Sequence, residues 1–159
     1  MMDKVIDLQY ILQTLGLTLL FVGFIGFERQ RKHKIAGLTT HILVALGAFG
    51  VTLVQEYMVQ DAIEFIRANP ELAGSVVVQR QRIIAQVVTG VGFLGAGAIL
   101  KTNGYISGLT TASSLWISAI IGIIFASGYY MLGIIVSLTA VIVLTLVKRI
   151  FKLSYQSIN

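Results

Sequence analysis

Gly23-Phe24-Ile25-Gly26 … Gly37-Leu38-Thr39-Thr40 recurs further along the chain as Gly92-Phe93-Leu94-Gly95 … Gly108-Leu109-Thr110-Thr111. Each copy joins the glycine-bearing end of one long apolar stretch to the start of the next. The offset between copies is 69 residues at the first element and 71 at the second, which a two-residue difference in loop length accounts for. A helix-loop-helix unit that occurs twice, as a duplicated pair of membrane spans, is the economical reading.

Working outward, the composition points to a bilayer. Of 159 residues, 56% are apolar and only 12% charged, with a mean hydropathy of +0.86, far from the balance of a soluble domain. A hydrocarbon core about 30 Å thick takes about 20 apolar helical residues to cross. Five stretches meet that length: 8–27, 41–59, 83–100, 111–127 and 130–147. The expected fold is therefore an all-α membrane protein of five helices. Spans 1–2 and 3–4 form the duplicated unit and a fifth helix follows, in a single transmembrane domain over 1–159. The 12 residues after Val147 are too few to bury a core, so no soluble carboxyl-terminal domain is expected. Asp3, Lys4 and Asp7 and the length of the first apolar run also argue against a cleaved signal. The absence of cysteine removes disulfides, thiolate chemistry and Cys-based metal sites.

Cation placement sets the expected orientation. With five spans, Arg29, Arg31, Lys32, Lys34, Lys101, Lys148, Arg149 and Lys152 fall on one side, and Lys4, Arg67, Arg80 and Arg82 on the other. Eight against four puts the amino terminus outside and the carboxyl terminus in the cytoplasm. The net charge of +5 then calls for anionic lipid headgroups as its counterpart and no nucleic acid. Between Gln60 and Gln81, apolar Ala62, Ile63, Phe65 and Ile66 alternate with Asp61, Glu64 and Arg67. That pattern predicts a short amphipathic helix on the outer interface, ended near Asn69-Pro70.

Glycine and threonine supply the local mechanics. Two readings of Gly90, Gly92, Gly95 and Gly97 stand: a smooth surface for close helix packing, or a partly unwound segment exposing carbonyls to a water-filled cavity. In each Gly-Leu-Thr-Thr element, Gly37 or Gly108 permits a tight approach to the helix. Thr39 or Thr40, and Thr110 or Thr111, are expected to cap the helix that follows. Two capped amino ends side by side favour an anion, and Glu28 is the internal candidate, near one cap and paired with Arg29 or Lys34; the alternative is a Glu solvated in a basic loop. His41 can titrate or ligate a metal, but its only companion is His33, which makes a His-based metal site improbable. Gln86 and the serines of the fourth span are expected to hydrogen-bond between helices. No paired carboxylates, phosphate-binding loop or nucleophile motif is present, so no catalytic residue is expected and the chain reads as a non-enzyme.

Several of these segments resemble one known family. Glu28-Arg29-Gln30 after Gly26-Phe27, Lys34-Ile35-Ala36-Gly37-Leu38 with Thr40-His41, the run from Arg82 through Gln86 to Gly97, and Gly108-Leu109-Thr110-Thr111 through Trp116 are similar to the MgtC/SapB membrane proteins of bacteria. The resemblance covers about Leu15 to Val147. It implies a five-span protein of the bacterial inner membrane, tied to growth under magnesium limitation and, in some pathogens, to survival inside host cells. The family's motif positions fall here on Glu28, Arg29, Gly37, Thr40, Arg82, Gln86, Gly92, Gly95, Gly97, Gly108, Thr110, Thr111 and Trp116. Thr39 stands where many relatives have Arg, and Gln79 where an Asp often precedes the Arg82 segment.

Two functional classes follow. In one, the protein is an accessory or regulator that binds membrane ATPases or transporters, with the F-type ATP synthase among the implied partners, and forms homo-oligomers in the bilayer. In the other, it is a channel or transporter passing magnesium through a cavity between the repeats. Magnesium prefers oxygen ligands, often carboxylates, and dehydrates reluctantly. Glu28 and Glu56 are the only acids close to the spans and fall at opposite faces, so the accessory role is the expected one. No cofactor is expected; Mg2+ enters as a ligand or signal, with Glu28 the acid that homo-oligomerisation would multiply.

Overall fold

A computed structural model describes residues 6–75, 79, 82–102 and 105–147. Five α-helices occupy most of these: α1 (Leu8–Arg31), α2 (Leu38–Ala68), α3 (Arg82–Gly97), α4 (Leu109–Ala126) and α5 (Tyr130–Ile142), the last continued by a wider π-type turn over Val143–Val147. Three of them, α1, α2 and α4, are long and apolar enough to cross a membrane; α3 and α5 are shorter apolar helices.

α4 is the hub, packing against all four other helices, most extensively against α2. Val22 and Ile25 of α1, Ala45 of α2 and Ile121 and Phe125 of α4 bury one apolar cluster, which Leu144 beyond α5 closes. Phe21 stacks on Phe125 with ring centroids 5.9 Å apart. A second cluster joins Tyr10, Phe49, Leu53 and Ala126, and a third joins Ala48, Val91, Ala119 and Ile123. Polar contacts fix the direction of the hairpins. The Tyr10 hydroxyl donates to the Ala126 carbonyl at 2.7 Å, so the start of α1 meets the end of α4. At that same end of the bundle, Gln55 of α2 accepts from the Ile84 amide of α3 at 3.2 Å. α2 and α4 therefore begin together at the opposite end, where His41 meets Ser114.

Small residues let these backbones approach. A Cβ at Gly122 would stand 2.5 Å from the Ala45 carbonyl oxygen, and one at Gly26 would stand 2.8 Å from Leu38 Cα and 3.3 Å from His41 Cβ. In the second hairpin Gly95 approaches Ala112, where an added Cβ would lie 3.5 Å from the alanine methyl. Close contact of this kind gives helices dispersion energy that lipid tails do not otherwise provide between them.

Several expectations are corrected. The third helix ends at Gly97, not Leu100: Leu100–Thr102 and Tyr105–Ser107 form an antiparallel hairpin, β1 and β2, with Leu100 opposite Ser107 and Lys101 opposite Ile106. Its sequence cause is the β-favouring Tyr105-Ile106. α3 is continuous from Arg82 to Gly97, so the glycines do not unwind it. The amphipathic stretch after the second span is not a helix of its own. α2 runs on unbroken to Ala68, since nothing before Asn69-Pro70 interrupts helical hydrogen bonding. There the Asn69 side chain donates back to the Phe65 carbonyl at 2.9 Å, and a short 3-10 turn, Pro70–Leu72, follows. α1 reaches Arg31, past the expected end at Phe27. Lys4, Arg80, Lys148, Arg149 and Lys152, which entered the charge count, lie outside the described residues.

Candidate functional site

The buried stripe of α1 runs Thr14, Thr18, Val22, Ile25, Gly26 and Arg29, a helical spacing that carries the core face to the helix's last turn. Arg29 therefore points inward and is 1% exposed. Its Nη2 donates to Thr111 Oγ1, in the first turn of α4, at 2.8 Å. Nε and Nη1 are buried with no hydrogen-bond partner among the described residues. Glu28 lies off the stripe and pairs with Lys32 one turn on, leaving its Oε2 buried without a partner among the described residues. The expected pairing of Glu28 with Arg29 or Lys34 is thus replaced, and it is Arg29 that reaches a paired helix start. Gln30 turns a third way, its Oε1 accepting from the Leu38 amide at 3.1 Å. Three consecutive residues serve three jobs because successive positions on a helix are about 100° apart.

Gln30 also explains the caps. α2 has Gly37 at its N-cap position and α4 has Gly108, neither with a side-chain cap hydrogen bond. The expected threonine caps are corrected: Thr39 and Thr40 are exposed, Thr110 is half-buried at the start of α4, and Thr111 is buried, serving as the acceptor for Arg29. A Cβ at Gly37 would come 3.2 Å from Gln30 Oε1, in the path of the side chain that caps α2. Gly108 has φ of +88° and a Cβ there would overlap the Ala98 carbonyl at 1.8 Å, so conformation and space both require glycine.

His41 is fully buried. Its Nδ1 lies 2.7 Å from the Gly37 carbonyl, which makes Nδ1 the donor, and Nε2 lies 2.9 Å from Ser114 Oγ. Ser114 Oγ is also 2.9 Å from the Thr111 carbonyl, so one hydroxyl proton is divided between two acceptors when the ring is neutral. Arg29, Thr111, Ser114 and His41 form one polar centre where α1, α2 and α4 converge. A guanidinium here is expensive: each orphaned buried donor costs about 1–3 kcal/mol, and the start of α4 carries the positive end of its helix dipole. The last turn of α1, with its negative end, offsets part of that.

The remaining candidates do not join this centre. Gly92, Gly95 and Trp116 line a shallow groove of about 370 Å3 between α3 and α4, with Ala112 and Ser113. A Cβ added at Gly92 or Gly97 would meet nothing within 4 Å. Arg82 lies at the end of the bundle far from Arg29, where it donates to Gln79 at 3.4 Å, and Gln86 is exposed on α3. Gln86 thus makes no interhelical bond among the described residues, whereas Gln55, unremarked in the sequence, does. Among the described residues no three of His, Cys, Asp and Glu cluster as a metal site would require.

The positions that build the polar centre and the groove fall within a region shared with known proteins. The sequence signature of the MgtC family matches residues 15–153. The chain belongs to the MgtC family. It is 44% identical over 124 residues to the Escherichia coli K12 protein named "Putative magnesium transporter YhiD", covering 77% of this chain and 53% of that one. To "Protein MgtC" of Brucella abortus strain 2308 it is 40% identical over 106 residues, 67% of this chain and 38% of the relative. Over 130 residues it is 36% identical to "Protein MgtC" of Salmonella typhimurium LT2, 82% of this chain and 48% of the relative. The chain spans about half or less of the length of these curated relatives. No solved structure matches it. With this family and these apolar helices, it is a bacterial membrane protein.

Proposed function

We propose that this MgtC-family chain is a non-catalytic accessory of the inner membrane that regulates a membrane ATPase or transporter when magnesium is scarce. The observation that carries the reading is the charge of the polar centre: among the described residues, the fully buried ionic side chain between α1, α2 and α4 is a cation, Arg29. A divalent cation passing there would meet a guanidinium with two unpaired donors and no carboxylate cage, the ligand set that magnesium favours. Glu28 closes α1 while Glu56 lies in the far half of α2, so the two acids do not combine into one site.

The proposal includes five spans with the amino terminus outside, arranged as two parallel hairpins plus α5. The contacts of Gly26 with His41 and of Gly95 with Ala112 support that repeat, since the positions are related by the same offsets of 69 and 71 as the sequence copies. The partner, or a second copy in a homo-oligomer, would lie on the α3–α4 face, where Gly92 and Trp116 are open. A second reading, magnesium transport, is favoured by the unpartnered Oε2 of Glu28 and by the name of the YhiD relative.

Co-reconstitution with the host's F-type ATP synthase tests the regulatory reading. The wild-type chain is expected to change the ATP hydrolysis rate, and Gly92→Leu, which fills open surface without touching the chain's own core, is expected to abolish that change. An unchanged rate with the wild-type chain, or a Gly92→Leu variant as effective as wild type, would overturn it for this partner.

A further inference from the structure

A cavity of about 990 Å3 opens between the last turns of α1 and the end of α5, at the Arg29 end of the bundle. Its two walls differ in kind. Phe24 and Phe27 of α1 face Val141 and Leu144 from the α5 segment, while Arg31 and Lys34 stand on the loop side. Lys32 is already held by Glu28, but no acid among the described residues pairs with Arg31 or Lys34. Glu28 also lines the cavity, its charge answered by Lys32.

We propose that this cavity binds one anionic phospholipid, such as phosphatidylglycerol. A free anion would use the two cations and gain nothing from the aromatic wall; a plain hydrocarbon would leave both cations unanswered. An amphiphile matches both, with its phosphodiester on Arg31 and Lys34 and the first part of an acyl chain on Phe24, Phe27, Val141 and Leu144. Phe24 and Phe27 are 61% and 53% exposed, so the apolar wall continues the lipid-facing surface of α1 and lipid reaches the cavity by lateral diffusion. The volume lies within the range of about 300–1,000 Å3 common to small-molecule sites. A basic recess between spans at headgroup level is a known form of lipid recognition. The site is stoichiometric, unlike the diffuse attraction that any basic loop exerts, and it is independent of which functional reading holds.

Native mass spectrometry of the purified, delipidated full chain in detergent, titrated with 1-palmitoyl-2-oleoyl phosphatidylglycerol or with the matching phosphatidylcholine, tests the proposal. One phosphatidylglycerol per chain is expected at concentrations that leave phosphatidylcholine unbound. The exposed double substitution Arg31→Gln/Lys34→Gln is expected to weaken retention about thirtyfold, with unchanged helical circular dichroism. Lys101→Gln, which removes an exposed cation at the same end of the bundle, is expected to leave retention intact, and inorganic phosphate in large excess is expected not to displace the lipid. Equal binding of the two lipids, full retention by the double variant, an equal loss in Lys101→Gln, or displacement by phosphate alone would each overturn it.

Discussion

Arg29→Met should make the protein more stable and less functional. The guanidinium is 1% exposed and makes one hydrogen bond, to Thr111 at 2.8 Å, while Nε and Nη1 make none among the described residues. Substitution by methionine, which keeps most of the chain length, forfeits a hydrogen bond from a charged donor, about 1.5–3 kcal/mol. It relieves two orphaned donors at about 1–3 kcal/mol each and removes a buried charge whose desolvation costs several kcal/mol more. Ser114 keeps His41 and the Thr111 carbonyl, but the buried Thr111 Oγ1 loses its partner, a further cost of about 1–3 kcal/mol. The balance favours the variant by about 2 kcal/mol, or roughly 4–8 °C in Tm for a chain of this size. Circular dichroism melts of wild type and variant in one detergent give the shift directly, and growth of a deletion strain in low magnesium gives the function. A melting temperature lowered by several degrees would refute the reasoning, because it would mean that the guanidinium is satisfied. A raised temperature with unimpaired growth would deny Arg29 a functional role.

Other substitutions separate contact from mere glycine content. Gly122→Ala places a Cβ 2.5 Å from the Ala45 carbonyl and should cost about 1–3 kcal/mol as α2 and α4 are forced apart; Gly92→Ala, with nothing within 4 Å, should change the melt by less than about 0.5 kcal/mol. Gln30→Ala removes the bond to the Leu38 amide and should cost about 0.5–2 kcal/mol, the scale of a lost helix cap, with faster amide exchange confined to the first turn of α2; Thr40→Ala, at an exposed position, should leave that exchange unchanged. Gly108→Ala combines a φ of +88° with a clash against Ala98 and should reduce the folded yield, measured as monodisperse protein after detergent extraction.

The membrane class, the helix order and the kinship of the chain were legible because hydrophobicity and repeated glycine spacing are one-dimensional signals. Side-chain direction was legible too, but it required following the buried stripe of α1 past Gly26 to Arg29, one further step of the same period. Arg29 was already marked by the family resemblance; its inward direction was not, because the acid at position 28 was expected to hold the buried role. Capping was misread because a threonine at the start of a helix is a good general cap, whereas Gln30 reaches α2 from another helix, a contact no local pattern encodes. The β1–β2 hairpin was missed because the apolar run through Leu100 extends the hydropathy signal beyond the helix that ends at Gly97. Among the glycines, spacing along the chain does not separate Gly26, Gly95 and Gly122, which touch neighbours, from Gly92 and Gly97, which face open space; only packing decides that.

Magnesium flux into liposomes is the most direct measurement of what this chain does. With the purified chain reconstituted and a magnesium-sensitive dye inside, the cationic polar centre predicts uptake no faster than in protein-free vesicles. Uptake that depends on protein and is abolished by Glu28→Gln, but not by Glu56→Gln, would contradict the account.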